Sequence, residues 1–534
     1  MKKLNYKFLV FIILTFVTGC KSLSKTDISQ TAKSNYTEEE LYRPRFHFTP
    51  KENWMNDPNG LYYLNGSYHM FFQYYPSSTV WGPMHWGHAI SSDLIKWKEL
   101  PIALYPDEKG YIFSGSAVVD VNNTSGFRKG EIAPVIAIFT YHDPKIEKEG
   151  KINYQSQGIA YSLDEGLTWT KYTENPVIKN PGIKDFRDPK VFRDTINNQW
   201  VLVLAAGNKS MFYRSINLID WEYLSDFGEG IGAHGGVWEC PDFFSLTVDG
   251  TDEVKWVLIQ SLVSGGPNGG SGTQYFVGDF DGKTFSLDSS FKNDLNLEKV
   301  FWIDNGRDNY AGVTWSNIPE ADGRKLFLGW MSNWEYAEKV PTHKWRSSMT
   351  IPRELILVKT DNHYRIESKP VKEVNKYFST SIIKANLIID KEAILANNSE
   401  IDFSSLDIKF KIKNITDDTY TFSLYNSIGD SINFGINNKE KNFFLDRTKS
   451  GNLSFSDKFA PNISTAIFKE SCKNVDVRVL LDKTSIEIFY NNGKTVMTEI
   501  FFLQQPIESF SVKSDKFNFE IENLIINQFG INQN

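Results

Sequence analysis

The feature that most constrains the fold of this chain is a repeated stretch in which a polar turn leads into a tryptophan. It occurs as SSDLIKW, SLDEGLTW and SINLIDW, which end at Trp97, Trp169 and Trp221. These tryptophans are 72 and 52 residues apart, and short strands separated by turn residues surround them. Strand repeats of this length are typical of propeller blades, the alternative being a coincidental similarity of turns. Residues 45–355 would accommodate five such blades.

The composition changes after the segment WRSSMTIPREL, residues 345–355. Tryptophan disappears, and alternating strands such as VDVRVLLDKTSIEIFY (Val475–Tyr490) follow, with the hairpin-turn signal NNGK directly after them. A chain of 534 residues is also too long for one ordinary core. We therefore predict an all-β protein, a five-bladed β-propeller followed by a C-terminal β-sandwich. The expected bounds are 41–357 for the propeller, 358–375 for a linker and 376–534 for the sandwich.

The N-terminus has the pattern of an export signal. Three lysines precede a short apolar run, Phe8–Val17, which is too short to span a bilayer and is followed by small residues. The junction before Cys20 resembles a bacterial lipoprotein signal, in which cleavage precedes the cysteine and the cysteine is then acylated. We expect a signal peptide over 1–19 and a lipid-anchored flexible tether over 20–40. An ordinary signal peptide with an incidental cysteine is the alternative. The pattern predicts a protein exported to the bacterial cell envelope and anchored to a membrane face that the sequence leaves open.

The charge balance argues against one large class of partner. The formal net charge is −7, and Lys and Arg form no stripe, whereas binding to a phosphate backbone requires clustered cations. We therefore expect no nucleic-acid partner. Aromatic residues make up 14 % of the chain, which suits β-rich cores and, where the rings are exposed, surfaces that stack on sugars.

Three carboxylates occupy equivalent places in the predicted blades. Asp57 opens the stretch DPNGLYYLNGSYHMFFQ, Asp188 opens DPKVFRDTINNQWVLVLAAG, and Glu239 opens ECPDFFSLTVDGTDEVKWVLIQSL. In each case the acid is followed by a strand, a polar turn and a second apolar strand. The first strand of each propeller blade lines the central channel, so acids from blades one, three and four would converge at one mouth of it.

Converging carboxylates of this kind are what glycoside hydrolysis requires. One carboxylate attacks the anomeric carbon or offsets its positive charge, and another protonates the departing oxygen. With three acids in one pocket, mutual repulsion and burial raise the pKa of at least one of them. An acid tuned in this way stays protonated near neutral pH and can serve as the proton donor.

Six ordered motifs resemble one known family. They are HFTPKENWMNDPNG, WGPMHWGHAISSDLIKW, ALYPDEKGYIFSGSAVVD, KDFRDPKVF, GGVWECPDFF and LGWMSNWEYA. Together they are similar to glycoside hydrolase family 32, which contains levanases, inulinases and invertases, and most similar to bacterial levanase-type enzymes. The similarity runs from about residue 43 to residue 355 and continues weakly into SIEIFYNNG. The family fold is a five-bladed propeller followed by a β-sandwich, in agreement with the pattern of the strands.

The resemblance implies a role for each acid and for several neighbours. Asp57 corresponds to the nucleophile, Glu239 to the general acid/base, and Asp188 to a stabiliser of the transition state that holds fructose hydroxyls. We expect the charge of Arg187 to keep Asp188 ionised, and three tryptophans to form apolar walls against the sugar. The resemblance implies no cofactor and no metal. The implied sugar-binding positions are Trp54, Asn56, Gln73, Trp81, Phe113, Ser114, Arg187 and Trp330.

Other kinds of site and function remain as alternatives. His47, His85 and His88 suggest a metal site, but no matching Cys/His spacing accompanies them. A lipid-anchored fructan-binding protein without catalysis and a fructosyltransferase are further alternatives. We predict a retaining hydrolase of β-fructosidic bonds in fructans, with levan as the expected substrate and inulin and sucrose as further candidates. The aromatic segment WGPMHWGHA favours exo-action with release of fructose over an endo-levanase. The oligomeric state is left open.

Overall fold

A computed structural model describes residues 40–469 and 471–531 of the chain. Residues from Tyr42 onward form one compact unit. The predicted signal peptide, Cys20 and the tether up to residue 39 lie outside the described residues. Within the described residues, none of the helices has the length and apolarity needed to cross a membrane.

The first part of the compact unit contains five sheets of consecutive antiparallel strands. Blade one contains β1 (Asn53–Leu64), β2 (Ser67–Tyr75), β3 (His85–Ser91) and β4 (Lys98–Leu104). Blade two contains β5 (Tyr111–Val119), β6 (Val135–His142), β7 (Gln155–Ser162) and β8 (Thr170–Lys171). Blade three contains β9 (Phe186–Asp194), β10 (Gln199–Ala206), β11 (Lys209–Ser215) and β12 (Glu222–Phe227). Blade four contains β13 (Trp238–Thr247), β14 (Val254–Leu262), β15 (Gly272–Phe280) and β16 (Phe285–Leu287).

The fifth blade is joined to the first. It begins with β17 (Tyr310–Thr314) and β18 (Lys325–Met331), after which the short β19 (Trp345–Arg346) pairs in parallel with β1 of blade one. Blade five is completed by β20 (Ser348–Met349), β21 (Arg353–Thr360) and β22 (His363–Pro370). The inner strands β1, β5, β9, β13 and β17 each contact the next, and β17 contacts β1, so they close a ring around a central channel. The predicted five-bladed propeller is confirmed.

The repeated turn-to-tryptophan stretch is a structural repeat. In blades one, two and three it joins the third strand to the fourth. The indole Nε1–H of Trp97, Trp169 and Trp221 donates in each case to the carbonyl three residues earlier, at 3.0–3.1 Å. A serine at the start of the turn contacts the side chain two residues later, as Ser162 Oγ does with Asp164 at 2.7 Å. The repeat therefore marks the same corner of successive blades.

Two short helices accompany the propeller strands. They are α1 (Pro144–Lys148), between β6 and β7, and α2 (Ser289–Glu298), after β16. Asp143 caps α1 and Asp288 caps α2, since each side chain accepts two backbone N–H bonds from the first turn. Within residues 42–531 that the structure describes, 3₁₀ turns span Ala337–Lys339, Lys372–Tyr377 and Asn491–Gly493.

The second part of the unit consists of two six-stranded sheets. The first has the order β23-β34-β25-β30-β31-β32 and the second β24-β33-β26-β27-β28-β29. Their inward residues form one apolar cluster, as expected for a β-sandwich, so this prediction is also confirmed. The strands are β23 (Phe378–Ile389), β24 (Glu392–Asn397), β25 (Ser405–Lys413), β26 (Thr419–Tyr425), β27 (Ser431–Asn437), β28 (Asn442–Lys449), β29 (Ser464–Ile467), β30 (Val475–Asp482), β31 (Ser485–Tyr490), β32 (Thr495–Ile500), β33 (Ser509–Ser514) and β34 (Phe519–Phe529).

The end of the propeller differs from the predicted bounds. The expected linker, 358–375, contains the end of β21 and all of β22, which pair with each other from Arg353 to Pro370. The sequence HYRIESKP of β22 alternates polar and apolar residues, so it resembles a surface segment, although its apolar residues Tyr364 and Ile366 are buried against blade four. The fifth blade therefore extends to Pro370, and only a few residues connect it to β23.

Candidate active site

Every inner strand has a break in its pairing register close to its start. A β-bulge of this kind bends the strand and turns side chains out of the normal alternation. Three residues in these bulges have a left-handed backbone, with φ of +63° at Asp188, +47° at Cys240 and +52° at Ala311. The five bulges therefore direct side chains from all five blades toward one mouth of the channel. They lie between Met55 and Pro58, Ile112 and Gly115, Arg187 and Lys190, Glu239 and Asp242, and Tyr310 and Val313.

A cavity of about 540 Å³ opens at this mouth. The structure brings together there the three acids Asp57, Asp188 and Glu239, from β1, β9 and β13. Six of the eight predicted sugar-binding residues line the same cavity: Asn56, Gln73, Trp81, Phe113, Ser114 and Arg187.

Asp57 is held by hydrogen bonds from the side chains of Ser114 and Asn56. Ser114 Oγ donates to Oδ2 at 2.7 Å, and Asn56 Nδ2 donates to Oδ1 at 3.0 Å. Burial raises the pKa of Asp57 and the neighbouring carboxylate of Glu239 adds to the rise, while the two hydrogen bonds oppose it. The side chain is fixed in one orientation, as required for attack on a carbon atom in the cavity.

Asp188 lies next to Asp57 across the thiol of Cys240. The backbone N–H of Cys240 donates to Asp188 Oδ2 at 3.0 Å, and its Sγ lies 3.6 Å from the same oxygen and 3.4 Å from Asp57 Oδ2. Burial raises the pKa of Asp188 to about 7; Arg187 opposes this rise, whereas Glu239 and Asp57 add to it. The two carboxylates therefore lie close together, and the electrostatic cost of ionising both is high.

Glu239 has two strong donors on its carboxylate. Arg187 Nη2 donates to Oε1 at 2.8 Å, and the hydroxyl of Tyr310 donates to Oε2. Arg187 also pairs with Asp185 at 2.8 Å, but its nearest contact with Asp188 is 3.9 Å. The expectation that Arg187 keeps Asp188 ionised is therefore corrected: Arg187 serves mainly Glu239, and burial of Asp188 outweighs its influence.

Two of the predicted sugar contacts are in different places from those expected. Trp54 and Trp330 are fully buried and do not line the cavity. Trp334, which the sequence did not single out, lies against both, with ring centroids 5.8 Å from Trp54 and 4.9 Å from Trp330, and it does line the cavity. Trp54 instead orients Asn56, because its Nε1–H donates to Asn56 Oδ1 at 2.7 Å. These two tryptophans support the pocket from below and are not walls against a sugar.

The remaining predicted contacts form the floor and the rim. Gln73 is 2 % exposed, and its Nε2 has no hydrogen-bond partner among the described residues, so a donor is left for a ligand. Trp81 is partly exposed at the rim and packs edge-on against Phe113, with centroids 5.9 Å apart. Phe113 in turn stacks on His142 at 4.4 Å. The cavity thus combines polar groups at its base with aromatic rings at its entrance, a combination that suits a sugar.

The residues of the site that the sequence reasoning missed include Cys240, Trp334 and Tyr310, which contact the acids or the pocket tryptophans. Cys240 and Trp334 stand inside the quoted motifs GGVWECPDFF and LGWMSNWEYA, so their motifs could have identified them. Tyr310 begins β17 in NYAGVTW, which belongs to no quoted motif. Its equivalence with Glu239 at the start of an inner strand becomes visible only once the blades are aligned.

The three histidines considered for a metal site make separate contacts. His47 bonds to Asp482 and Glu487, His88 to His69, and His85 to the carbonyl of Pro83. In the part of the chain that the structure describes, no group of three or more His, Cys, Asp or Glu side chains is arranged to hold a metal ion.

The chain matches two family models. The model described as "Glycosyl hydrolases family 32 N-terminal domain" matches residues 47–370, and "Glycosyl hydrolases family 32 C terminal" matches residues 373–528. Among curated proteins, a levanase of Bacillus subtilis (strain 168) is 47 % identical over 501 residues, which cover 93 % of this chain and 72 % of the levanase. An extracellular exo-inulinase of Aspergillus niger is 39 % identical over 499 residues, covering 88 % of this chain and 90 % of the inulinase.

Solved structures show the same similarity. An exo-inulinase from Aspergillus awamori superimposes with a TM-score of 0.83 at 34 % identity, covering 93 % of this chain and all of the inulinase chain. A β-fructofuranosidase from Schwanniomyces occidentalis in complex with fructosyl-erythritol gives a TM-score of 0.82 at 33 % identity, covering 92 % of this chain and 99 % of the other. The similarity extends over both the propeller and the sandwich.

Proposed function

The chain belongs to glycoside hydrolase family 32, and on that premise we propose that it is a retaining, exo-acting fructan β-fructosidase that releases fructose from levan. The observation that carries the proposal is the meeting of Asp57, Asp188 and Glu239 in one cavity, each fixed by its own donors. Two acids are sufficient for the bond changes, and the third serves the charge that develops on the sugar.

The proposed reaction has two steps. In the first, a carboxylate oxygen of Asp57 forms a bond to the anomeric carbon of the terminal fructose. The bond from that carbon to the departing oxygen breaks, and Glu239 gives its proton to this oxygen. In the second step Glu239 takes a proton from water, the water oxygen attacks the same carbon, and the bond to Asp57 breaks. Two inversions give overall retention.

The neighbours of the acids support these roles. Arg187 and Tyr310 fix the direction of the Glu239 carboxylate, and Asn56 and Ser114 fix that of Asp57. Such fixed groups need no reorganisation when charge moves between enzyme and sugar. We assign the binding of fructose hydroxyls to Asp188 and to the Nε2 of Gln73, which has no partner among the described residues.

Exo-action is favoured by a contact that closes one side of the cavity. The backbone N–H of Trp81, in the connection between β2 and β3, donates to Glu338 Oε1 at 3.1 Å. Glu338 lies in the connection after β18 of blade five, and both residues line the cavity. This contact joins blades five and one at the rim of the cavity, which favours a pocket for a chain end over a cleft open at both ends.

The names of the relatives support a proposal for the preferred polymer and for the location. The B. subtilis relative is named a levanase, and its identity of 47 % exceeds the 39 % shared with the A. niger exo-inulinase. We therefore propose levan as the preferred substrate and inulin as a slower one.

Several relatives are named extracellular, which supports export, and we propose that Cys20 carries the lipid anchor. Cys20→Ala should leave the protein soluble or unprocessed; unchanged recovery with membranes would reject the anchor.

The deciding experiment is an early time course on levan, inulin and sucrose in parallel, with Asp57→Asn as the inactive control. Free fructose alone from levan is the expected first product, and NMR of the first turnovers should show the retained anomer. A ladder of oligosaccharides before fructose would identify an endo-levanase, and growth of longer products would identify a transferase. Binding of levan without any product would identify a non-catalytic binding protein.

A further inference from the structure

One wall of the cavity belongs to a segment that also contacts the sandwich. We call residues Met331–Val340, which begin at the last residue of β18, the rim segment. Its residues Trp334, Glu335, Tyr336, Glu338 and Lys339 line the cavity. The side chain of Glu338 accepts a hydrogen bond from the backbone of Trp81 across the rim. The position of this segment therefore determines the shape of the entrance.

The opposite side of the rim segment packs on apolar residues of the sandwich. Met331, Tyr336 and Val340 are buried in one cluster with Phe459, Ile500 and Phe502. The rings of Tyr336 and Phe459 meet edge-on with centroids 5.1 Å apart. The segment is thus enclosed between the substrate cavity and the second domain.

A buried arginine of the sandwich fixes Tyr336 within this contact. Arg447, on β28, donates from Nη2 to the Tyr336 hydroxyl at 2.8 Å, and that hydroxyl donates to Asp308 Oδ1 at 2.6 Å. Arg447 Nη1 pairs with the other oxygen of Asp308 at 2.5 Å. Arg447 and Asp308 are almost completely buried, so the tyrosine hydroxyl is held between a cation and an anion with no competing water.

A second arginine reinforces the same segment. Arg307, directly before Asp308, donates from Nη2 to Glu335 Oε2 at 2.8 Å and to the carbonyl of Lys458 at 3.0 Å. It therefore joins the rim segment to the sandwich at a second point. Between the two arginines, the backbone from Trp334 to Ala337 has little freedom to move away from the cavity.

We propose that the sandwich domain positions the substrate-binding rim of the propeller, with Arg447 and Tyr336 as the positioning residues. Arg447 holds Tyr336, and Trp334 lies two residues earlier in the same rim segment. Trp334 stacks on Trp54, and Trp54 orients Asn56 at the base of the pocket. Among the described residues, the hydrogen bonds and ion pairs of the three acid carboxylates involve no side chain or backbone group of the rim segment. The sandwich thus acts on substrate binding and leaves the chemical step to the propeller.

The test uses two variants with matched controls, and it rests on the proposed fructosidase activity only for one of its readouts. Tyr336→Phe keeps the ring and removes the hydroxyl, and Arg447→Lys keeps the charge but cannot reach Tyr336 and Asp308 together. Tyr364→Phe is the control for the first, since it removes another buried tyrosine's bond, to Glu253. Arg353→Lys is the control for the second, since Arg353 also bridges propeller and sandwich but contacts Glu487 and Thr498.

The first readout is hydrogen–deuterium exchange of the peptide covering residues 331–340, which needs no activity. Exchange there should be faster in Tyr336→Phe and Arg447→Lys and unchanged in both controls. The second readout is steady-state kinetics on levan. We expect KM to rise about 3- to 10-fold, the size expected for one lost hydrogen bond, with kcat within about twofold.

Unchanged exchange in both rim variants overturns the proposal, whatever the enzyme's activity. Faster exchange combined with a lower kcat and an unchanged KM would also overturn it, because the rim would then serve catalysis and not binding. If wild-type protein releases no fructose from any fructan, the proposed function fails, while the exchange readout still decides whether the sandwich holds the rim.

Discussion

The mouth of the propeller channel and the junction between propeller and sandwich both bury carboxylates, but they surround them with different neighbours. At the channel mouth Asp57, Asp188 and Glu239 lie together, and Arg187 pairs with Glu239 and, at 3.9 Å, with Asp188. At the junction, Asp482 and Glu487 alternate with His47 and Arg353. The first arrangement accumulates like charge and the second pairs opposite charge.

The junction is a continuous chain of buried ion pairs. His47 bonds to Asp482 at 2.9 Å and to Glu487 at 2.8 Å, and Glu487 also accepts from Arg353 Nε at 3.1 Å. Arg353 continues to Asp304 at 2.8 Å. Asp482 further accepts backbone N–H groups of residues 45–47 at 2.7–3.2 Å, which ties the segment before β1 to the sandwich.

The pKa values of the carboxylates are therefore shifted in opposite directions in the two regions. Burial alone would raise the pKa of Asp482 and Glu487, but His47 and, for Glu487, the charge of Arg353 together lower it. In the cavity, burial and neighbouring carboxylates raise the pKa of Asp57 and Asp188. Paired carboxylates stabilise the fold, whereas clustered ones are held at a cost in stability and are available for proton transfer and attack.

The largest expected effect separates the two regions by activity. Asp57→Asn and Glu239→Gln should each lower kcat on levan by about 10³-fold or more, because each removes a group that makes or protonates a bond. The melting temperature of Asp57→Asn should not fall, since a neutral side chain at this position relieves repulsion in the cavity. Circular dichroism melting and kcat on the same preparations measure both. Normal activity in either variant would remove that residue from its role.

The next largest effect is a loss of stability at the junction, with activity unchanged. Glu487→Gln leaves His47 and Arg353 as two buried cations without their shared partner, so the free energy of unfolding should fall by about 3–5 kcal/mol. The kcat per folded molecule should stay unchanged at a temperature where the variant is folded. Urea unfolding followed by fluorescence gives the stability. A midpoint equal to that of the wild type would show that this ion chain contributes nothing to the fold.

Much of the fold could be predicted because it repeats. The turn-to-tryptophan stretches mark three blades through local hydrogen bonds that depend only on nearby residues. The linker was placed wrongly over β22 because a strand with one exposed face has the same composition as a connecting segment. The pairing with β21 makes this segment a strand of blade five, and that pairing is not visible in the composition.

The site was predicted for its acids and less well for its walls. Proline-containing stretches directly after Asp57 and Asp188 marked the places where inner strands begin. The bulges that follow decide which side chains face the cavity, and they leave Trp54 buried although it lies three residues before Asp57. Contacts such as that of Asp308 with Arg447, which are 139 residues apart, depend on the packing of the two domains and have no local signal.

A third effect concerns the pH dependence of the junction. Burial alone would lower the pKa of His47, but its bonds to Asp482 and Glu487 raise it to about 9 from 6.5. The stability that His47 contributes is therefore fully present below about pH 6.5 and is lost as the pH rises through 9, by at most ~3 kcal/mol. Melting temperatures between pH 6 and 9.5 should show this decline in the wild type.

His47→Gln should flatten that alkaline decline, whereas the same change at the exposed His343 should leave it as in the wild type. At acid pH the stability depends instead on Asp482 and Glu487, whose pKa is lowered in the folded protein. The stability that they contribute is present above their ordinary pKa and is lost as the pH falls through their folded pKa values. A decline that persists unchanged in His47→Gln would assign the alkaline sensitivity to another group.

The smallest effect has the opposite sign in the two regions and tests the comparison most directly. Because the pKa of Asp188 is raised to about 7 from 3.8, its contribution to stability is present below about pH 4 and is lost as the pH rises through 7. Asp188→Asn keeps an oxygen for the N–H of Cys240 and removes the charge. Urea unfolding at pH 8 should therefore show a gain of about 1–2 kcal/mol, with little gain at pH 4, while activity falls. Asp482→Asn, which removes a paired carboxylate, should lose stability at pH 8. A loss in Asp188→Asn at pH 8 would mean that the cavity, like the junction, is stabilised by its charges.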